Sequence, residues 1–162
     1  MAIEIERKFR VHAGPWLPPD TAGTRYVQGY LNRDPARTVR VRIAGGAAFL
    51  TIKGRSHGAS RAEFEYPLPL ADAQALLALC DGPLIDKVRH RLPHAGHVWE
   101  LDVFSADNAG LIVAEIELTA EDEAFEPPPW LGAEVTHDTR YFNSQLAVLP
   151  YRQWAEAGEA AP

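Results

Sequence analysis

Cys80 is the only cysteine in the chain, so no internal disulfide can form and a reducing compartment is the natural setting. Long apolar runs are also missing. Nowhere do about 18 apolar residues follow one another, and no membrane-spanning helix is expected. Glu4, Glu6, Arg7 and Lys8 arrive almost at once after Met1, leaving no apolar stretch for a secretory leader. There is no basic excess either: the net charge of −6 is the wrong sign for a protein that wraps nucleic acid. The expectation is a cytoplasmic protein without nucleic acid or membrane as a partner.

What remains is an ordinary globular composition, 46% hydrophobic and 23% charged over 162 residues. That length suits one domain with a core large enough to stand without disulfides. Residues 1–150 read as that domain, and 151–162 as a C-terminal helix with an Ala/Glu/Pro tail that frays from Ala155.

Most of the chain alternates with period two, the signature of half-buried strands. Such segments run over Ala2–Val11, Thr24–Asn32, Thr38–Ala44, Ala48–Lys53, Arg61–Leu68, Ile85–Leu92, Val98–Phe104 and Leu111–Leu118. A Pro/Gly-rich connector fills Gly14–Gly23, and Gly45-Gly46 marks a hairpin turn. Ala71–Cys80, rich in Ala and Leu without a β-branched residue, reads as a helix closed by Asp81-Gly82-Pro83. Shorter helices are expected over Ala120–Ala124, from Asp138 or Thr139 toward Val148, and over Tyr151–Ala157; Pro127–Pro129 must be extended. The class is α+β, dominated by an antiparallel sheet of eight strands that can close into a barrel.

Residues i, i+2 and i+4 of a strand share a face. This groups Glu4, Glu6 and Lys8; Arg40 and Arg42; Arg61, Glu63 and Glu65; Lys87, Arg89 and Arg91; Glu100 and Asp102; and Glu115 and Glu117, with Lys53 closing its own strand. For any one strand the ordinary reading is a solvated outer face. Two features of the set argue otherwise. The positions are almost all ionic, without the Thr, Ser and Gln that solvated faces usually mix in. Each strand also tends to carry one sign, acidic in the first, fifth, seventh and eighth and basic in the third and sixth. A solvated sheet gains nothing from such sorting. Turned inward, these faces would line a wet cavity, since so many ions cannot be held dry. Its cations suit phosphate oxygens, and its carboxylates suit hard cations such as Mg²⁺ or Mn²⁺.

Several stretches in order carry a resemblance: Glu4-Ile5-Glu6-Arg7-Lys8, Gln28-Gly29-Tyr30-Leu31, Arg40-Val41-Arg42, Leu50-Thr51-Ile52-Lys53, Lys87-Val88-Arg89, Glu100-Leu101-Asp102-Val103-Phe104 and Glu115-Ile116-Glu117-Leu118. Pro127–Trp130, Glu134-Val135-Thr136 and Arg140-Tyr141-Phe142-Asn143 extend it to the end. Together they resemble the CYTH superfamily, the triphosphate tunnel metalloenzymes, and most closely its small bacterial members. The resemblance implies an eight-stranded antiparallel tunnel, here residues 1–150, that takes a small-molecule triphosphate with Mg²⁺ or Mn²⁺. By position it implies that Lys8, Arg40, Arg42, Lys53, Lys87 and Arg89 hold phosphate. It implies metal at Glu4, Glu6, Glu115 and Glu117, with Asp102 and Glu63 helping, while Glu65 and Glu100 orient the basic residues. Lys8 and Tyr30 are the catalytic candidates; Tyr30 reads equally well as an ordinary strand aromatic. The small bacterial members hydrolyse inorganic tripolyphosphate to pyrophosphate and phosphate. Hydrolysis of thiamine triphosphate or a nucleotide, class IV adenylate cyclase activity and non-catalytic polyphosphate sensing are the alternatives. The oligomeric state is left open, a homodimer included.

Other candidates carry less. His90, His94 and His97 fall on a strand and a turn with Pro93, not on a zinc framework. Gly54–Ser60 lacks the Lys-Ser/Thr ending of a phosphate-binding loop. Cys80 and the four tryptophans read as packing groups.

Overall fold

The computed structural model describes residues 2–11 and 22–156. Nine strands appear: β1 (Ile3–Val11), β2 (Thr24–Asn32), β3 (Arg37–Ala44), β4 (Ala47–Gly54), β5 (Ser60–Leu68), β6 (Ile85–His94), β7 (His97–Phe104), β8 (Ile112–Glu117) and β9 (Leu131–Glu134). The first eight pair antiparallel in the order β5-β4-β3-β2-β6-β7-β8-β1, and β5 returns to β1 to close an eight-stranded barrel. Three helices, α1 (Leu70–Leu77), α2 (Asn143–Leu146) and α3 (Tyr151–Glu156), lie around it. No helix among the described residues is long and apolar enough to cross a membrane. Most of the connector expected over Gly14–Gly23, and the tail beyond 156, lie outside the described residues.

The eight expected strands are present, with ends moved by a residue or two. Turn chemistry fixes their registers. Gly45, at φ 59°, joins β3 to β4, and Ala95-Gly96, at φ 48° and 83°, joins β6 to β7 as a two-residue turn that matches strand twist. α1 forms where Ala and Leu dominate, but it ends at Leu77, short of Cys80. Leu79 and Cys80 donate to carbonyls three residues back instead of four. The end of α1 sits directly on β2, where a Cβ on Gly29 would meet Cys80 Sγ at 2.8 Å.

Three expectations near the C-terminus need correction. β9 has no alternation to announce it: it is four residues long and lies against β1, where a Cβ on Gly132 would meet the Arg10 carbonyl at 2.9 Å. Ala120–Ala124 is a turn and not a helix, because the Glu123 carboxylate reaches back to accept from Thr119 N at 2.9 Å. The helix expected from Asp138 to Val148 is broken. Asp138 caps a single 3₁₀ turn at Thr139–Tyr141, Phe142 is extended (ψ 133°), and α2 starts afresh at Asn143. That break turns Asn143 into the barrel.

Apolar packing surrounds the barrel in three places. α1 covers the outer face of β2–β4 through Val41, Ala48 and Ala73. The segment after β8 lays Phe125, Trp130 and Leu131 over Phe9, Trp99 and Ile116. At one end the inward faces themselves become apolar: Ile85, Phe104 and Val113 meet Tyr141, Leu146 and Trp154 of the C-terminal segment, which plugs that end. The charged middle of the barrel is thus bounded by packing outside and at one end.

Candidate active site

Cross-strand register places the charged positions on one shared interior face. Opposite one another stand Glu6 and Glu117, Lys8 and Glu115, Glu100 and Glu115, Arg89 and Asp102, Lys53 and Glu63, and Tyr30 and Arg40. They line two adjoining cavities of about 320 and 210 Å³, which share Glu4, Glu6, Arg40, Lys53 and Asn143. All fifteen sequence-derived site residues but Asp102 and Lys87 line one or both cavities. Those two lie fully buried in the wall, where Lys87 Nζ bonds Asp102 Oδ2 at 2.7 Å.

The cations are held apart by carboxylates. Lys53 bonds Glu4 at 2.7 Å and pairs with Glu63 at 3.2 Å, across the seam where β5 meets β1. Arg89 Nε and Nη2 reach the two oxygens of Asp102 at 2.7 and 2.9 Å, and its other contacts are Glu100 at 3.1 Å and Glu115 at 3.5 Å. This arginine bridges Glu100 and Glu115, like charges that stand directly opposite one another in the register. Arg40 reaches Glu65 through Thr51, whose hydroxyl donates to Glu65 at 2.8 Å while accepting from Arg40 at 3.2 Å. Lys8 lies 3.6 Å from Glu115 and donates to the Tyr141 carbonyl at 3.2 Å. Arg42 differs from the rest. No carboxylate lies within 4 Å of it among the described residues; it bonds Gln28 at 2.7 Å and stacks on Tyr26.

Protonation follows from this crowding. Burial, then the neighbouring Glu115 and Glu4, push Glu6 well above the usual carboxylate range. Burial and Glu100 raise Glu117, and burial raises Glu4. Burial works the same way on Glu115, but Lys8 and Arg89 outweigh it and hold that carboxyl low. Total burial brings Lys87 down to about 7 despite Asp102, and burial with Arg40 and Arg89 brings Arg42 down to about 10. The cavity therefore crowds carboxyl groups around Glu6 and Glu117, where burial and mutual repulsion disfavour the ionised forms, and gathers positive charge around Arg42. It is short of an external cation at one point and of an external anion at another.

The charge pattern missed several neutral members. Tyr26, Gln28 and Tyr30 alternate on β2, and Thr38 and Thr51 oppose Lys53 and Arg40; strand period alone places them inside. Asn143 comes from the C-terminal segment, and no periodic signal announces it. The histidines do not assemble a site: among the described residues no group of three His, Cys, Asp or Glu side chains converges as a ready-made metal cage.

Comparison with known proteins agrees with this fold. A family model described as the CYTH domain matches residues 2–146. An inorganic triphosphatase of Acetivibrio thermocellus is 43% identical over 157 residues, 96% of this chain and all of that one. The inorganic triphosphatase of Nitrosomonas europaea is 38% identical over 151 residues, 90% of this chain and 97% of its own length. The crystal structure of the inorganic triphosphatase NE1496 superposes with a TM-score of 0.65 at 35% identity, covering 91% of this chain and 96% of that one. The PH1012 protein of Pyrococcus horikoshii, at 18% identity and a TM-score of 0.53, shares the fold. With a family match over nearly all of its length and two relatives aligned almost end to end, the chain belongs to the CYTH domain family.

Proposed function

We propose that this protein hydrolyses inorganic tripolyphosphate to pyrophosphate and phosphate within the barrel, using Mg²⁺ or Mn²⁺, in the cytoplasm, with residues 1–150 as the catalytic tunnel domain. One observation carries the reading: a charge-lined cavity inside a closed barrel where Glu117, without a cation partner, and Arg42, without a carboxylate partner, lie side by side among the described residues. The names of the two full-length relatives support the same substrate.

The donors fit a hard divalent ion in kind, being carboxylate oxygens without soft ligands. The absence of a convergent cage is no obstacle, because Mg²⁺ commonly binds through one or two carboxylates, several waters and the phosphates of its substrate. Glu6 and Glu117 would hold it, flanked by Glu4 and Glu115, with Glu63 beside Glu4. When bound, such an ion neutralises phosphate oxygens and acidifies water. Asp102 already gives both oxygens to Lys87 and Arg89, so we assign it to holding those cations rather than metal. Glu65 and Glu100 do the same for Arg40 and Arg89.

Phosphoryl transfer asks for positioning and charge neutralisation more than covalent help. Arg40, Arg42, Lys53 and Arg89 clamp the chain of phosphates, with Lys87 supporting from the wall. Water oxygen bonds to the terminal phosphorus as the bridging P–O bond breaks, and the electron pair leaves on pyrophosphate. Lys8 stabilises charge on the transferring group, and Tyr30, which lines the same cavity, orients it or supplies the proton.

The test is incubation of the protein with tripolyphosphate, ATP or thiamine triphosphate, with and without each metal. Pyrophosphate plus phosphate from tripolyphosphate alone is the expected result; cyclic AMP from ATP, or no turnover of any of them, would refute the proposal. Glu117 makes no ion pair among the described residues, so Glu117→Gln leaves the fold's own contacts intact. This variant should lower metal-dependent turnover by at least about 100-fold, with a melting temperature no lower than the parent's. Near-normal turnover would remove Glu117 from the metal set.

A further inference from the structure

Asn143 occupies a position that the fold makes unusually well defined. It begins α2 just after the extended Phe142, and it alone of the C-terminal segment lines both cavities. Its Oδ1 accepts from Gln28 Nε2 at 3.1 Å and from Lys87 Nζ at 3.1 Å. Gln28 is fully buried, and its own Oε1 accepts from Arg42 Nε at 2.7 Å.

These bonds leave no freedom in how the two amides are turned. A guanidinium can only donate, and so can Lys87 in the ammonium form that pairs with the Asp102 carboxylate at 2.7 Å. Arg42 therefore requires oxygen on its side of Gln28, which presents the Gln28 amide nitrogen to Asn143. Lys87 makes the same demand of Asn143 from the other side. Both neighbours thus require the Asn143 oxygen, and a flipped amide would set donor against donor twice. The Asn143 NH₂ has to point the other way. It has no hydrogen-bond partner among the described residues, and it is not among the sealed, unpartnered buried atoms. It opens into the cavity at the boundary between the two compartments.

We propose that the Asn143 amide NH₂ is a substrate-binding group, a neutral donor to a phosphate oxygen of the bound triphosphate, aimed by Arg42 through Gln28 and by Lys87. The proposal rests on the tripolyphosphate reading for its substrate. Lys8, Arg40, Lys53, Lys87 and Arg89 are cations already paired with carboxylates; this donor carries no charge and cannot be captured by them. It offers the anion a directed hydrogen bond where its two halves meet.

The experiment pairs two variants of Asn143. Asn143→Ala removes both the oxygen and the donor. Asn143→Asp keeps an acceptor oxygen for Gln28 and Lys87 but replaces the donor with a second acceptor. Each is measured for tripolyphosphate kcat and KM, for tripolyphosphate binding by calorimetry without added metal, and for melting temperature. The expected result is a fall in kcat/KM of about 10- to 100-fold in Asn143→Ala, the range for one hydrogen bond to a charged group. Asn143→Asp should fall at least as far, and binding should weaken in both. Restored activity in Asn143→Asp would overturn the proposal, because only the acceptor role toward Lys87 would then matter. So would kcat/KM within twofold of the parent in either variant, or an activity loss that merely follows a collapsed melting temperature in both. A parent protein that binds tripolyphosphate without cleaving it would end the hydrolase reading, and calorimetry of the variants would still decide on Asn143. A parent that does not bind it would end both.

Discussion

Asp102 shows how one side chain in this barrel serves neighbours rather than ligand. It is fully buried, as is Lys87, and its two oxygens are shared by Lys87 and Arg89. Two cations fixed on one carboxylate are costly to strand. Removing one partner of a buried pair commonly costs about 3–5 kcal/mol, because the remaining charge stays desolvated. Asp102→Ala should therefore lose stability on that scale in urea titrations of the metal-free protein. A carboxylate kept only for metal would behave in the opposite sense: its removal would relieve repulsion from Glu115 and stabilise the metal-free form. Unchanged or raised stability would therefore return Asp102 to the metal set. Residue identity alone offers no means of telling these roles apart. Glu4 through Glu117 were legible as an acidic set because strand period and charge coincide. Which of them faces a fixed cation and which faces open cavity depends on cross-strand register, which the sequence of each strand does not contain. Neutral Gln28 and Asn143 were invisible to a reading based on charge for the same reason.

At the scale of elements, the eight barrel strands were legible because each alternates over its whole length, and their turns carry Gly at positions that need positive φ. β9 was not, since Leu131–Glu134 is too short to show a period and is defined by docking on β1. Its docking has a chemical signature. Arg7 grips Glu134 in a two-pronged contact at 2.8 and 2.6 Å, and Thr136 donates to the same carboxylate. The Arg7 hydrogen bond, against a smaller effect of burial, holds Glu134 below its usual range. A carboxyl with a depressed folded-state pKa adds stability that is fully present above its unfolded value, about 4.3. That stability is lost as pH falls through the lower folded value. Both partners are partly exposed, so the expected size is only about 0.5–1 kcal/mol. Glu134→Gln should lower stability by that amount at pH 5 to 7, and the difference from the parent should shrink below about pH 4. A gap that stays constant to pH 2, or that opens only in acid, would mean that this pair does not fasten β9.

The whole molecule is a ring, and a ring opens at its shortest joint. β3 and β4 run in register from end to end, as do β6 and β7, but β1 and β5 meet only where Ile3–Ile5 faces Ser60–Ala62. Backbone bonds from Glu6 N to the Ala59 carbonyl and from Glu63 N to the Ala2 carbonyl extend that joint slightly. Outside it lies little apolar cover, for Ile3, Phe64 and Tyr66 are all exposed. Much of what crosses it is ionic: Lys53 bonds Glu4 on one side and Glu63 on the other. Regions with few buried contacts and short ladders open at lower free energy than the core. Amide hydrogen exchange should therefore be fastest, among the strands, at Ile3–Ile5 and Ser60–Ala62, and slowest in β6 and β7. Lys53→Gln should hasten exchange at the joint and leave β6–β7 unchanged, since it removes the ionic tie without touching the other ladders. A polyanion in the cavity would compete for Lys53 but also bridge it to Lys8 of β1, which lines the same cavity on the other side of the joint, so tripolyphosphate should slow exchange there. Uniform exchange around the ring, or ligand protection confined to β6–β7, would show that the barrel does not yield where its hydrogen-bonded ladder is shortest.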